Sequence, residues 1–418
     1  MEKFYMFNII VSEGLKPRIE RVVRRFFGKW MHISSRKNRG AYNIVVLEDK
    51  VKDHSLVDPL TAELKITEDM MDIEIAKAIE HARSLIRLSV GWRKGYVIGV
   101  RNHLDGLEIH PAYDVFMAWL GLNQLMKIHI PPHAVLVEKL FGGKYRVFCS
   151  GVKAGELFIP DDGCEVSTNI DHQRCMEYSG EKPERLNRNS MLQHINVARR
   201  FLDSLGKPDR VIVSFSGGKD SLVALDLAVK HYGAEHVEAI YVDTGVDFPS
   251  TRDYVKQMEE ELGVTVYSAY APVKEQLSTR GLPSKNNRWC TLLKTRAFKE
   301  KLREITRRDE KILVIVGDRD TESETRSRKP PVRRRKWYLE AAPIKQWSTL
   351  MVQLYIKMYE LPLNPLYEAG FYRLGCYICP ALTSLERRIM FEKLWSHINT
   401  LPWINEYFDL HCPGACPK

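Results

Sequence analysis

The sequence has no long hydrophobic run. Its longest apolar stretches, such as KILVIVG at 311–317, are far shorter than the roughly 20 apolar residues that cross a bilayer. The first residues, MEKFYMFNIIVSEG, carry an acidic side chain at position 2 and no small-residue cleavage site, so no secretory signal is predicted. We therefore expect no membrane contact and a cytoplasmic location.

Acidic residues are outnumbered. The chain has 53 Asp and Glu against 63 Lys and Arg, a formal net charge of +10. A basic balance favours polyanionic partners such as nucleotides or RNA. Part of the excess can equally be surface lysine that keeps the protein in solution, so charge alone leaves nucleic-acid contact open.

The chain of 418 residues has eight cysteines. Such a long chain is not a secreted scaffold held together by disulfides. Three cysteines, Cys149, Cys164 and Cys175, are expected to be structural. The other five lie at or after position 290, which indicates a metal or redox site there: Cys290, Cys376, Cys379, Cys412 and Cys416.

The length predicts two or three domains. Helical and strand-like apolar spacing mixes in the first part, short β runs broken by glycine and proline follow, and a polar stretch near 170–190 precedes a regular strand–helix alternation. The second of these segments is predicted to be either a structural insert or a small RNA-binding β module. The expected parts are a mixed α/β domain at 1–127, the β module at 128–170, a nucleotide-binding domain at 190–385, and a C-terminal helix with a cysteine-containing tail at 386–418.

From position 209 onward, continuous apolar strands alternate with amphipathic helices. RVIVSFS (210–216) and VEAIYVDTG (237–245) are typical strands, and SLVALDLAVKHYG (221–233) is a typical helix ended by glycine. This pattern predicts an α/β fold with a doubly wound parallel sheet covered on both faces. Ligands of such sheets bind at the carboxyl ends of the strands.

The segment SGGKDS (216–221) lies between a predicted strand and a predicted helix. Gly217 and Gly218 let the backbone turn sharply and approach an anion. The N–H groups that open the next helix favour a bound phosphate. Lys219 adds a positive charge, and Ser216 and Ser221 add hydroxyl donors. The spacing differs from the Walker pattern, which has four residues between its first Gly and Gly-Lys.

This loop resembles the signature of the ATP-pyrophosphatase (PP-loop) superfamily, whose fold is that of the adenine nucleotide alpha hydrolases. Further segments, in the same order, resemble the phosphoadenosine phosphosulfate (PAPS) reductase family within it. The resemblance covers roughly 195–385. The segments are VDTGVDFPST (242–251), RWCTLLK (288–294), GDRDTESETRSR (317–328), PIKQW (343–347) and NPLYEAGFYRLGCYICP (364–380).

The resemblance implies an enzyme that binds ATP or PAPS, with Mg²⁺, through the residues Ser216 to Ser221. Asp243, at a predicted strand end, is expected to hold Mg²⁺ or a ribose hydroxyl with help from Asp247, although either can instead cap a turn. Gly317 is expected to let the backbone approach the nucleotide.

Four charged residues complete this expected site. Arg319 and Arg326 are expected to pair with phosphate or sulfate, because the guanidinium group suits such oxyanions. Lys219 and Asp220 are the expected catalytic residues of the loop. Because it carries both residues, the loop resembles that of family members that use ATP itself rather than a ready-made sulfonucleotide.

The late cysteines resemble the ligands of a [4Fe–4S] cluster in related sulfonucleotide reductases. Cys376 and Cys379 form a CxxC, and Cys290 stands at the upstream position, where Trp289 replaces a second cysteine. The expected fourth ligand is Cys416, although Cys412 or an open iron site would also complete the set. Zinc and unligated redox thiols remain alternatives.

Cys412, next to His411, is also a candidate catalytic nucleophile. A nearby imidazolium lowers the pKa of a thiol and so increases its reactivity. Related reductases carry a C-terminal nucleophilic cysteine, although their Glu-Cys-Gly tail motif is absent here.

The segment RSRKPPVRRRKW (326–337) is dense in Arg and Lys, and Pro330-Pro331 excludes a central strand or helix. It follows the predicted strand that ends near Arg319, so we expect it near the nucleotide. It is either a clamp on RNA or nucleotide phosphate, or a solvated basic loop.

Three functions fit these features. The first is ATP-dependent adenylation and sulfur transfer to an RNA such as tRNA, or to another acceptor. The second is a PAPS or adenylyl-sulfate reductase that forms sulfite through a cysteine thiosulfonate. The third is a nucleotide- or RNA-binding protein without catalysis. The first two imply a thioredoxin-like or persulfide donor protein as a partner.

Overall fold

The computed structural model describes residues 5–28, 30–48, 58–100, 102–178 and 180–413. No helix within these ranges is long and apolar enough to cross a membrane.

The N-terminal region is a four-stranded parallel sheet, ordered β2-β1-β3-β4, with two helices. Its first helix carries Ile19, Val22 and Val23 on one face and buries them against the sheet. This agrees with the mixed α/β region expected from the sequence. The elements are β1 (Phe7–Ile10), α1 (Lys16–Phe26), β2 (Met31–Ser34), β3 (Tyr42–Glu48), β4 (Thr61–Ile66) and α2 (Asp72–Leu88).

The β module is a five-stranded antiparallel sheet, ordered β11-β10-β9-β8-β7. It starts at Asp114 rather than at the expected residue 128, because the short strand β7 pairs with β8. A two-stranded hairpin precedes it. The elements are β5 (Val90–Trp92), β6 (Tyr96–Ile98), β7 (Asp114–Met117), α3 (Leu120–Leu125), β8 (Val135–Lys139), β9 (Lys144–Cys149), β10 (Val152–Phe158) and β11 (Ser167–Ile170).

The α/β domain has a six-stranded sheet, ordered β14-β13-β12-β15-β17-β16, parallel except for the edge strand β16. Helices α4 (Pro183–Leu186) and α5 (Arg188–Ser204) precede it. The further elements are β12 (Arg210–Ser214), α6 (Lys219–Tyr232), β13 (Val237–Asp243), α7 (Pro249–Leu262), β14 (Thr265–Tyr270), α8 (Val273–Arg280), α9 (Trp289–Ile305), β15 (Ile312–Ile315), α10 (Glu324–Ser327), β16 (Val332–Arg334), β17 (Leu339–Ala341) and α11 (Thr349–Met358).

Both faces of this sheet are buried. Val211 and Val213 of β12 belong to the hydrophobic core that includes α5, α6, α7 and α11. Ile212, between them, belongs to the core that includes α8 and α9. Successive strand residues point to opposite faces, so the alternation confirms the predicted doubly wound parallel sheet.

The C-terminal part packs against the second of these cores. Its helices are α12 (Pro365–Ala369), α13 (Ser384–Ile389), α14 (Trp395–Ile398) and α15 (Ile404–His411). Cys416, one of the expected metal ligands, lies outside the described residues.

The N-terminal parts dock onto the α/β domain through buried polar contacts. Arg83 of α2 forms an ion pair with Asp320, and the Arg87 guanidinium lies 3.6 Å from the same carboxylate. The Gln353 side chain of α11 accepts a hydrogen bond from the Met117 N–H and donates one to the Met117 carbonyl, each 2.8 Å long. These contacts bring the β module beside the carboxyl ends of the parallel strands.

Candidate nucleotide-binding site

The SGGKDS loop connects β12, which ends at Ser214, to α6, which begins at Lys219. It therefore lies at the carboxyl edge of the parallel sheet, as the sequence predicts. Gly217 has a φ of +72°, a left-handed conformation that glycine adopts without steric cost. A Cβ atom there would also lie 3.0 Å from the Thr251 side chain. Both features require glycine at this position.

Two serines hold the loop in shape. The Ser216 N–H donates to Ser221 Oγ over 3.1 Å, and Ser221 Oγ donates to the Gly218 carbonyl over 2.9 Å. Within the described part of the chain, no acceptor takes a hydrogen bond from the N–H groups of Gly217 or Gly218. These free donors at the start of a 14-residue helix form an anion-binding arrangement.

Lys219 is buried beneath the loop. Its Nζ lies 3.1 Å from Asp220 Oδ2 and 3.3 Å from the Tyr372 carbonyl. It also lies over the rings of Tyr367 and Tyr372, 5.6 and 5.2 Å from their centres. The backbone N–H of Lys219 donates to the Tyr367 hydroxyl over 3.0 Å. Two tyrosines of the 364–380 segment thus surround the loop lysine.

Arg319 supports the loop from below. Its Nε donates to Asp220 Oδ1 over 2.6 Å. Its Nη1 lies 2.7 Å from Thr321 Oγ1 and 3.3 Å from Asp114 Oδ2, and its Nη2 lies 2.8 Å from Thr349 Oγ1. The side chain is 1% exposed. This geometry corrects the expectation that Arg319 binds phosphate, because its N–H groups already donate hydrogen bonds to oxygens of the protein.

Asp220 is ionised by this arrangement. Although burial alone would raise its pKa, the neighbouring Arg319 and Lys219 charges and hydrogen bonds lower the pKa to about 2. The carboxylate joins the loop lysine to the buried arginine. Its contacts are therefore those of a residue that holds the loop in position.

Gly317, two residues after the end of β15, also differs from expectation. A Cβ atom there would lie 2.6 Å from the Asp220 carbonyl carbon and 2.8 Å from the Ser221 nitrogen. The glycine allows the strand end to approach the loop backbone rather than a nucleotide directly. The approach is close enough that no larger residue fits without moving the loop.

Arg326 is half-exposed beside the same edge and forms an ion pair with Glu322. Its Nη1 also lies 3.6 Å from Asp318 Oδ1. The guanidinium is therefore shared with two protein carboxylates, and an incoming phosphate would compete with them.

Asp243 and Asp247 hold the turn that follows β13. Asp243 Oδ1 accepts the Gly245 N–H over 2.8 Å, and Asp247 Oδ2 accepts the Thr244 N–H and hydroxyl, each over 2.8 Å. Both therefore cap this turn, the alternative that the sequence left open. Among the described residues, no group of three or more His, Cys, Asp or Glu side chains converges as a metal site.

Residues 210–382 match the family model of the phosphoadenosine phosphosulfate reductase domain. This part of the chain is therefore similar to the PAPS reductase domain. This confirms the resemblance seen in the sequence motifs, and the domain extends from β12 past the CxxC.

Similar proteins cover parts of this chain. An uncharacterised protein of Methanocaldococcus jannaschii is 33% identical over 228 residues, which make up 53% of this chain and 46% of that protein. A second M. jannaschii relative is matched over 47% of its length, so the chain spans about half of each. A PAPS reductase of Xylella fastidiosa is 28% identical over 176 residues, covering 40% of this chain and 71% of that enzyme.

Among solved structures, a PAPS reductase from Candida auris in a phosphate complex matches with 20% identity and a TM-score of 0.36. The match covers 44% of this chain and 89% of that one.

Polar groups, rather than other cysteines, surround Cys376 of the CxxC. Cys376 Sγ lies 3.1 Å from Lys294 Nζ, 3.3 Å from Thr244 Oγ1 and 3.4 Å from Asp247 Oδ1. Burial raises the pKa of the Cys376 thiol to about 12, against the opposing effect of the Lys294 ammonium.

The expected metal cluster does not fit the side chains as described. Cys290, Cys376 and Cys379 are free thiols, yet no metal-ligand group forms among the residues that the structure describes. A [4Fe–4S] cluster or a structural zinc needs thiolates that converge on one point. We therefore derive no chemical step through a metal.

Cys412 is also not a free nucleophile here, because it forms a disulfide with Cys164. A sulfur in a disulfide has no thiolate to attack a substrate. A second disulfide joins Cys149 to Cys175. Cys149, Cys164 and Cys175, which were expected to be structural, therefore all lie in disulfides, a pairing that the sequence did not predict.

The basic segment 326–337 runs from the carboxyl end of the parallel sheet to its amino end. Val332 of β16 pairs with Ala341 at the carboxyl end of β17, whereas Arg334 pairs with Leu339 at its amino end. The chain therefore carries Arg334 to Trp337 away from the phosphate loop, contrary to the expected position. Four arginines of this segment are ion-paired: Arg326, Arg328, Arg333 and Arg335.

A basic–aromatic groove of about 670 Å³ forms at this amino end. It is lined by Arg303, Thr306, Arg307, Arg308, Lys336 and Trp337. The Arg303 guanidinium lies 5.5 Å from the Trp337 ring centre. A cationic groove with an aromatic plate is a chemistry suited to single-stranded nucleic acid.

Several site residues have no motif of their own in the sequence. Asp114 and Lys139, from the β module, contact Arg319 and Tyr372, which lie beside the loop, and nothing local in the sequence marks either residue. Tyr367, Tyr372 and Lys294 do lie inside segments that resemble the family. Their roles follow only from the fold that brings those segments to the loop.

Proposed function

We propose that the protein binds ATP at the SGGKDS loop and uses it for sulfur chemistry. An oxygen of an acceptor carbonyl attacks the α-phosphorus, the bond to the bridging oxygen breaks, and pyrophosphate leaves. A persulfide sulfur then attacks the activated carbon, and AMP leaves with the former carbonyl oxygen. A thiol finally attacks the sulfur of the persulfide donor and cleaves the remaining sulfur–sulfur bond. The thiol and the donor are thereby joined in a disulfide, and the new sulfur stays on the acceptor.

The observation that carries this proposal is the intact loop. Gly217 and Gly218, whose N–H groups donate to no acceptor among the described residues, stand directly before α6 and its buried Lys219. Oriented backbone donors and a positive charge stabilise a pyrophosphate leaving group as its negative charge develops. The chemistry at the loop therefore requires no cysteine of this chain.

An RNA, with tRNA as one class, is the proposed acceptor. The basic–aromatic groove offers cations for phosphates and a tryptophan for a base. It lies at the amino end of the sheet, while the loop lies at the carboxyl end. A five-residue strand spans roughly 16 Å, so the groove would hold the body of a folded RNA while another part reaches the loop.

The second candidate is reduction of PAPS or adenylyl sulfate. The domain family supports it, and the Cys164–Cys412 disulfide is a specific observation in its favour. Once reduced, a Cys412 thiolate would attack the sulfonate sulfur and displace the nucleotide. Cys164 would then attack Cys412, release sulfite and restore the disulfide, which a thioredoxin-like donor reduces again.

One experiment separates the two candidates. Wild-type protein is incubated either with α-labelled ATP, RNA and a persulfide donor, or with PAPS and a dithiol. Release of pyrophosphate and AMP is expected from the first mixture and no sulfite from the second. Sulfite formation without ATP cleavage would replace the first candidate by the reductase.

Two variants locate the reaction. Lys219→Met is expected to abolish ATP cleavage, because it removes the charge beneath the loop. Lys256→Met, at an exposed position of α7, is the matched control and should retain it. Equal loss in both variants, or cleavage that persists in Lys219→Met, would contradict a reaction at this loop.

A further inference from the structure

Two lysines from different parts of the protein meet on one tyrosine ring. Lys139 Nζ lies 4.8 Å from the centre of the Tyr372 ring, and Lys219 Nζ lies 5.2 Å from the same centre. Lys219 belongs to the phosphate loop, whereas Lys139 is the last residue of β8 in the β module. The module therefore delivers a second ammonium group to the nucleotide site.

The Lys139 ammonium has no ion-pair partner among the described residues. The acidic residues that influence it, Asp114 and Glu386, already accept hydrogen bonds from other groups. Burial lowers the pKa of Lys139, and the Arg373 and Lys219 charges lower it further. A partly buried cation beside like charges costs free energy unless an anion joins it.

The position of Lys139 is fixed by the strand pairing. In the antiparallel ladder of β7 and β8, Lys139 stands directly opposite Asp114. Paired residues of this kind project on the same face of the sheet. Asp114 uses that face to reach Arg319 beneath the loop, and Lys139 uses it to reach Tyr372 beside the loop. The two contacts hold the lysine at the loop rather than in solvent.

We infer that Lys139 is a ligand for a phosphate group of the nucleotide at the SGGKDS loop. The β module thereby completes the nucleotide site of the α/β domain. This rests on the proposed function only in that a polyphosphate occupies the loop. Pyrophosphate, or the β- and γ-phosphates of ATP, has the charge density that two ammonium groups beside one tyrosine ring neutralise.

Calorimetric titration of the full chain with inorganic pyrophosphate, and separately with ATP, tests the inference. Lys139→Gln is expected to weaken binding about tenfold, since it removes one charge-assisted contact. Lys139→Arg keeps the charge and is expected to stay within about threefold of wild type. The matched control is Lys144→Gln, at an exposed position of β9 in the same sheet, which should change affinity less than twofold.

Thermal unfolding without ligand supplies a second readout. If Lys139 only stabilised the fold, Lys139→Gln would lower the Tm. The inference expects an unchanged or higher Tm, because an uncompensated charge is removed, together with a smaller rise of the Tm on adding pyrophosphate.

The outcomes separate this inference from the proposed function. Wild-type protein that binds pyrophosphate and ATP, with Lys139→Gln binding equally well, overturns the role of Lys139 and leaves the loop proposal intact. Wild-type protein that binds neither ligand overturns both. A lower Tm of Lys139→Gln without ligand, with unchanged affinity, would assign Lys139 to folding alone.

Discussion

The Asp220 carboxylate, inside the phosphate loop, accepts a hydrogen bond from Arg319 Nε over 2.6 Å. The same guanidinium lies 3.3 Å from Asp114, the first residue of the β module. One buried arginine thus joins the loop to a separate sheet. Because Asp114 also accepts the Thr349 N–H over 2.9 Å, the loop, β7 and α11 share one polar network.

Replacing Arg319 by Met should destabilise the protein by about 3–5 kcal/mol, because it leaves the buried Asp114 carboxylate without its charged partner and removes one of the two cations beside Asp220. Urea unfolding followed by fluorescence measures the effect. The control is Arg328→Met, which removes an exposed pair with Glu324 and is expected to cost less than about 1 kcal/mol. Equal effects of the two variants would contradict a supporting role of Arg319.

The stability of the loop network should fall in acid. The folded pKa of Asp220 is about 2, below its ordinary value of 3.8, so its contribution is fully present above pH 4 and is lost as the pH falls toward 2. Burial also opposes ionisation of Asp114, yet the Arg319 charge and hydrogen bonds lower its pKa, which adds loss in the same direction.

Urea midpoints at a series of pH values test this. The stability difference between wild type and Asp220→Asn should shrink by on the order of 2 kcal/mol between pH 6 and pH 2, the equivalent of the pKa shift. A difference that stays constant with pH would mean that Asp220 is not ionised by the network.

Gly317→Ala should displace the phosphate loop. The added Cβ would lie 2.7 Å from the Asp220 carbonyl oxygen, and backbone cannot give way as a flexible side chain can. We expect a loss of about 1–3 kcal/mol of stability, as for overpacked sites, and at least tenfold weaker ATP binding. Gly14→Ala is the control, because nothing lies within 4 Å of its Cβ position. Unchanged ATP affinity in Gly317→Ala would show that the loop tolerates the shift.

Local patterns were sufficient to predict the loop and the strand–helix alternation. SGGKDS is contiguous, and its glycines, lysine and serines act within one turn of chain. The doubly wound sheet likewise follows from apolar strands with amphipathic helices between them, a regularity that short windows of sequence contain.

Contacts between distant segments were not predictable in this way. By residue type alone, Arg319 is as suitable for binding phosphate as for supporting the loop. Only its contact with Asp114, 205 positions away, decides that it is a buried support. Cys412 similarly lies 248 positions from Cys164. Such pairs depend on how whole domains dock, and neither residue has a local pattern that marks its partner.

The basic–aromatic groove should bind single-stranded RNA independently of nucleotide. Fluorescence anisotropy with a labelled RNA of about 20 nucleotides measures it. Arg307→Gln combined with Lys336→Gln should weaken binding roughly tenfold. It should also reduce the magnitude of the slope of log K against log salt concentration by about 1.4, or roughly 0.7 for each phosphate contact on a single strand. Lys65→Gln combined with Lys256→Gln removes two exposed charges elsewhere and should leave the salt dependence nearly unchanged. Tighter binding of DNA of the same sequence would contradict an RNA surface.

The Cys164–Cys412 disulfide should stabilise the attachment of the C-terminal helices. Cys412→Ser is expected to lower the free energy of unfolding by about 2–4 kcal/mol under oxidising conditions and to have little effect in the presence of a reductant. Peptide mapping without reduction should recover Cys164 joined to Cys412. ATP cleavage by Cys412→Ser should equal that of wild type, because the loop chemistry uses no thiol of this chain. If the variant instead keeps its stability and loses sulfite formation from PAPS, Cys412 acts as the nucleophile of a reductase. The disulfide is then an oxidised intermediate of the catalytic cycle.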